Sequence, residues 1–147
     1  MRKYVSSGPE DTREIGYRIG SLLKPGDIVG LFGELGAGKT TMVKGIAGAL
    51  GIMEREIMSA SYTIISEYAS EPPFIHVDLY RIESFDEAED IGFWEQIGGH
   101  GISVIEWAEK LEGLLPDDTI RVSIVAAGET ERDITVYGID EKHRNNR

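Results

Sequence analysis

Residues Gly33-Glu34-Leu35-Gly36-Ala37-Gly38-Lys39-Thr40 match G-x-x-x-x-G-K-[ST] at every position, and no other feature limits the fold of this chain so tightly. By composition, the expected number of chance matches is about 0.01. Such a loop needs a buried strand to deliver it and a helix to receive it, because its glycines turn backbone N–H groups inward while the helix adds the positive end of its dipole. Both flanks are present. Ile28-Val29-Gly30-Leu31-Phe32 is too densely apolar for a half-exposed strand, and Met42, Val43, Ile46 and Leu50 share one face of a helix expected over 39–50, with Gly51 as its stop. Leu35, Gly36, Ala37, Gly38, Lys39, Thr40 and Thr41 are thus the candidate phosphate contacts. In this motif the Lys39 amine reaches the β and γ phosphates and the Thr40 hydroxyl holds Mg²⁺.

Around that unit the pattern is strand, helix, strand, helix, strand. Pro9-Glu10-Asp11 opens a helix whose Ile15, Ile19, Leu22 and Leu23 lie on one face until Lys24-Pro25-Gly26 ends it. Strands are expected at 63–68, 74–79 and 102–106. Ser84 and Glu87 have capping-box spacing and open a helix toward Trp94. Two further strands, 120–125 and 133–137, flank Ala126-Ala127-Gly128-Glu129-Thr130 as a hairpin. The expected fold class is α/β: a P-loop NTPase with a mainly parallel sheet flanked by helices and a C-terminal antiparallel hairpin. One domain is expected over residues 1–140, with 141–147 a polar, frayed tail.

Charge narrows the partners. The net charge is −11, yet 83–118 holds eleven acidic residues against the single Lys110, nearly the whole imbalance. Gripping nucleic acid depends on Lys and Arg against phosphates, so direct RNA or DNA binding by this chain alone is not expected. The stretch reads as a solvated face or as a docking face for a basic protein. Cysteine is absent, and His76, His100 and His143 are 24 and 43 residues apart, which leaves no disulfide, thiolate site or short zinc motif. No apolar run has membrane-helix length and no signal-type segment opens the chain, so the expected location is cytoplasmic.

Phosphoryl transfer to water also needs a carboxylate beside the metal or the attacking water. Two apolar strands end in one, Ile75-His76-Val77-Asp78 and Ile102-Ser103-Val104-Ile105-Glu106, and spacing alone does not choose between Asp78 and Glu106. The only asparagines are Asn145 and Asn146, so no N-K-x-D guanine-reading segment exists and ATP is preferred to GTP. Residues 83–118 contain no arginine, which disfavours a small-molecule kinase with an arginine lid; Arg81 reads as the partner of a neighbouring acid. Without an arginine finger, worth on the order of 10³ to 10⁵ in rate, slow intrinsic turnover is expected.

Leu31-Phe32-Gly33-Glu34-Leu35-Gly36-Ala37-Gly38-Lys39-Thr40-Thr41, Ser59-Ala60-Ser61-Tyr62-Thr63, His76-Val77-Asp78-Leu79-Tyr80-Arg81 and Ile105-Glu106-Trp107, followed by Leu115-Pro116, resemble the bacterial TsaE (YjeE) family in order and spacing. The resemblance covers nearly the whole chain, and its D-L-Y-R and E-W segments make it specific. It implies an ATPase of the pathway that installs threonylcarbamoyl on adenosine 37 of tRNAs reading codons that begin with A. There it would support or reset a complex of TsaD and TsaB, in which TsaD carries the transfer chemistry. By the same resemblance Lys39 and Thr40 take the phosphate and Mg²⁺ roles, Glu106 is the metal-site glutamate and Asp78 the Walker B-like acid, while Trp107 and Thr12 lie near the nucleotide. The family reads S-P-T-[FY]-T where this chain has Ala60 and Ser61, so Ser61 keeps a hydroxyl for a switch role at the γ-phosphate on a less rigid backbone. The rival readings are a nucleotide-dependent regulatory module without significant turnover and a small-molecule P-loop kinase.

Overall fold

The computed structural model describes residues 1–34, 36–57, 65–90 and 92–140. They form one seven-stranded sheet: β1 (Arg2–Ser6), β2 (Ile28–Phe32), β3 (Ile65–Tyr68), β4 (Phe74–Asp78), β5 (Ile102–Glu106), β6 (Ile120–Ala126) and β7 (Arg132–Tyr137), in spatial order β1-β7-β6-β2-β5-β4-β3. The four central strands β6, β2, β5 and β4 are parallel, and both margins are antiparallel. The α/β class and the C-terminal hairpin are therefore as expected. The sheet is more mixed than the sequence suggested, because β3 runs against β4 and β1 adds an edge beside β7.

Helices α1 (Pro9–Leu22) and α2 (Lys39–Ala49) cover one face of the sheet. Ile15 and Ile19 of α1 and Met42, Val43 and Ile46 of α2 pack there with Val29, Leu31, Val104, Val122 and Val136. The two helices touch through backbone. A Cβ on Gly45 would stand 2.1 Å from the Arg13 carbonyl oxygen, and one on Gly16 would stand 2.6 Å from that of Met42. Only glycine permits that approach, and it brings Thr12 of α1 beside the phosphate-loop segment.

The opposite face is covered by α3 (Phe85–Asp90), α4 (Phe93–Gln96) and a 3₁₀ turn at Ala108–Leu111, whose Ala88, Phe93, Ala108 and Leu111 pack on Ile75, Val77 and Ile105. A continuous helix toward Trp94 is not what forms: Gly92, at φ 74°, separates α3 from α4. Glu87 does reach back to a backbone N–H, but to that of Glu83 (3.1 Å), which precedes the helix. No helix among the described residues is long and apolar enough to cross a membrane. Residues 58–64, with the start of the strand expected at 63, and the tail 141–147 lie outside the described residues.

Candidate functional site

The strand β2 runs straight into the glycine loop, and Gly38, at φ 106°, is the left-handed residue from which α2 starts. That turn buries the second residue of the motif's G-K pair. Lys39 is 5% exposed, donates to the carbonyls of Gly33 and Glu34 (2.9 Å to the latter), and holds its Nζ 3.7 Å from the centre of the Trp107 ring. Burial pushes the Lys39 amine below its usual range, while Glu109, Glu106, Asp78 and Glu34 pull it back toward the charged form.

Parallel pairing of β4 with β5 places Asp78 directly opposite Glu106 at the C-terminal ends of both strands. Alternation then decides which face each carboxylate takes. Phe74 and Val104 belong to the core under α2, so His76, Asp78 and Glu106, at two-residue spacing from them, share that face. Glu106 is 2% exposed; its Oε1 accepts the Thr40 hydroxyl at 3.0 Å and its Oε2 meets His76 Nε2 at 2.6 Å. Asp78 accepts the Tyr80 backbone N–H at 2.9 Å through Oδ1. Burial raises the Asp78 pKa; the Tyr80 hydrogen bond opposes that rise and the Glu106 charge adds to it.

Trp107, immediately after β5, adopts φ 61°, the only left-handed non-glycine backbone among the described residues. Strain of this kind costs on the order of 1 kcal/mol and concentrates where a side chain must be aimed. Here the indole is set against Tyr80 (5.2 Å between centroids) and over the Lys39 amine. The 3₁₀ turn that follows carries Glu109, whose Oε2 accepts the Gly33 N–H at 3.2 Å while Oε1 is buried without a partner among the described residues. It also carries Lys110, which donates to the carbonyls of Tyr80 and Ile82. Two of the eleven acids of the 83–118 stretch, Glu106 and Glu109, thus turn inward to the loop.

On its other side the loop borders a cleft of about 170 Å³ lined by Thr12, Gly36, Gly38, Thr41, Thr130 and Arg132, among others. Thr12 is buried, with its hydroxyl 2.7 Å from that of Ser6. Arg132, at the start of β7, donates to the carbonyls of Ala37 (2.9 Å) and Gly36 (3.1 Å) and, across the hairpin turn, to those of Gly128, Glu129 and Glu131.

The predicted residues Lys39, Thr40, Asp78, Glu106 and Trp107 therefore meet on one side of the loop. Thr12, Gly36, Ala37, Gly38 and Thr41 meet on the other, and Leu35 and Ser61 lie outside the described residues. Sequence reading overlooked His76, Glu109 and Arg132. Two-residue spacing from Asp78 on an alternating strand would have flagged His76. Arg132, more than ninety residues from the loop it grips, has no local signal. Arg81, read as paired with an acid, makes no ion pair among the described residues.

A family model for the threonylcarbamoyl adenosine biosynthesis protein TsaE matches residues 6–134. The tRNA threonylcarbamoyladenosine biosynthesis protein TsaE of Bacillus subtilis is 41% identical over 142 residues, which span 96% of this chain and 88% of that protein. Its counterpart in Treponema pallidum is 41% identical over 132 residues, 90% of this chain and 97% of that one. A crystal structure of Bacillus subtilis YdiB matches the fold with a TM-score of 0.74 and 34% identity, covering 99% of this chain and 96% of its own.

Proposed function

The chain belongs to the TsaE family and so to tRNA threonylcarbamoyladenosine biosynthesis, and from that premise we propose that it binds and hydrolyses ATP with Mg²⁺ to support or reset a TsaD–TsaB complex in the cytoplasm. The observation that carries the reading is the convergence of Lys39, Thr40 and Glu106 at one end of the loop, with Thr40 and Glu106 3.0 Å apart. A hydroxyl and one carboxylate are hard oxygen donors of the kind Mg²⁺ takes, since this ion keeps several waters and completes its shell with phosphate oxygens. No group of three His, Asp or Glu side chains able to hold a metal exists among the described residues, which suits Mg²⁺ better than an all-protein metal cage. Thr40 and Glu106 would hold the ion, and when bound it would supply neutralisation of the charge that develops on the transferring phosphate.

The chain's own residues supply the rest. Loop N–H groups and the α2 N-terminus bind phosphate, and Lys39 exchanges its loop carbonyls for phosphate oxygens. Asp78, kept partly desolvated beside Glu106, orients the attacking water. The cleft beside Thr12 receives the nucleoside. Arg132, the arginine that lines this cleft, is committed to five backbone carbonyls, which supports slow turnover without partners. The isolated chain is not expected to hold tRNA at physiological salt.

Phosphate release measured alone and with TsaD and TsaB tests the reading. Slow release that partners accelerate and that Glu106→Gln lowers by about 10- to 100-fold is expected. Nucleotide binding without release in any combination would instead leave a regulatory module.

A further inference from the structure

A buried carboxylate keeps a fixed orientation only if both oxygens are committed, and in Glu106 they are committed to different elements. Thr40, on α2, donates to Oε1 at 3.0 Å, and His76, on β4, meets Oε2 at 2.6 Å. Both members of the second pair are only 3% exposed at the side chain, so water does not replace either. A carboxylate only accepts, so the imidazole presents Nε2–H. We propose that His76 is a positioning residue: by holding Oε2 it leaves Oε1 as the Glu106 oxygen that faces Thr40 and the metal. The inference rests on the reading of Thr40 and Glu106 as metal ligands.

The geometry makes this more than a packing contact. Glu106 pairs in register with Asp78, and His76 lies two residues before Asp78 on the same face, so the imidazole reaches Glu106 diagonally across two parallel strands. Val104, its own register partner, is apolar and offers His76 no competing acceptor. Without the imidazole, Oε2 would be an unsatisfied buried acceptor, and the carboxylate would turn toward whichever donor remained, Thr40 included. Hydrogen-bond partners of metal ligands are typically worth about 10- to 100-fold in metal affinity or activity.

The test is a Mg²⁺ titration of the binding of a non-hydrolysable ATP analogue, followed by calorimetry, on the wild type, His76→Leu and His76→Gln. In EDTA the three should bind the analogue within about twofold of one another, because the loop backbone supplies that affinity. With Mg²⁺, His76→Leu should need about 10- to 100-fold more metal for half-saturation. His76→Gln, whose side-chain amide reaches to about the same place as Nε2, should recover most of the difference. In turnover assays kcat should fall in His76→Leu with little change in KM for ATP.

Equal losses in EDTA and in Mg²⁺, or a leucine variant with wild-type metal dependence, would overturn the proposal. If His76→Leu fails to fold, nitrogen NMR of the wild-type imidazole decides it. The Nε2–H tautomer is expected, and the Nδ1–H tautomer would overturn the assignment. A wild type whose nucleotide affinity ignores Mg²⁺ would overturn the functional reading, and this inference with it; Mg²⁺-dependent wild type with insensitive His76 variants would overturn the inference alone.

Discussion

The two walls of the phosphate loop are built by different means. One is made of buried side chains that bond to one another, Thr40 to Glu106, Glu106 to His76, and Lys39 against Trp107, where the start of α2 meets parallel strands β4 and β5. The other is made of backbone held from outside, where one guanidinium from the antiparallel hairpin draws the carbonyls of Gly36 and Ala37 toward the turn at 128–131. Charge and hydrogen bonds act strongly in the first because water is excluded, whereas in the second they are screened and shape dominates. On the proposed function, chemistry falls to the buried wall and recognition of the nucleoside to the open one.

The largest expected effect comes from the cation of the buried wall. Lys39→Ala removes the point charge on two phosphates, and charge-assisted hydrogen bonds of this type are worth about 1.5–3 kcal/mol each. Mg-ATP affinity measured by calorimetry should fall by roughly 100-fold, with turnover lost. Unchanged affinity would remove Lys39 from the phosphates.

Next in size, Glu106→Gln should separate the walls. Hydrolysis should drop by about 10- to 100-fold and its Mg²⁺ requirement should rise, while metal-free nucleotide binding stays within about twofold. A variant that loses metal-free binding equally would mean that Glu106 shapes the loop rather than the metal site.

How much of this was legible follows from the same contrast. The buried wall could be read from local pattern: a complete loop motif, an apolar strand before it, and two apolar strands that each end in an acid. Which acid meets Thr40 could not be read, because that depends on pairing register, and the register puts both acids side by side. The open wall was harder. β1, at the sheet edge, mixes Arg2, Lys3 and Tyr4 with a single fully buried residue, Ser6, and gives no run that announces a strand. Among the described residues β3 spans Ile65–Tyr68, and nothing in its pattern specifies antiparallel pairing. Arg132 reaches the loop only because β1, β7 and β6 fold the far end of the chain back beside β2.

Arg132→Ala should therefore produce the complementary phenotype. Metal-free ADP affinity should weaken by about three- to tenfold, since two carbonyls that shape the loop lose a charged donor, while the Mg²⁺ dependence stays that of the wild type. Lysine should rescue little, because one ammonium does not fork across carbonyls on both the loop and the hairpin. A change in metal dependence would show that the two walls are mechanically one.

The smallest effect is expected at Asp78, and on the free protein it has the opposite sign from the others. Burial raises the Asp78 pKa from 3.8, so the ionised carboxylate costs the folded state stability. The folded state holds this proton to higher pH than the unfolded chain does. The cost is thus absent below the unfolded value, grows as pH rises through the folded pKa, and is complete above it. Asn keeps an oxygen for the Tyr80 N–H but carries no charge, so Asp78→Asn should raise the Tm of the nucleotide-free protein by a few degrees at neutral pH. The difference from wild type should shrink toward zero near pH 3.8. Hydrolysis by the same variant should be impaired more than nucleotide affinity, because the charge that destabilises the empty fold is the one proposed to orient water. A variant less stable than wild type at neutral pH would show that Asp78 is held by a cation strongly enough to outweigh its burial, and would recast it as a structural member of the buried wall.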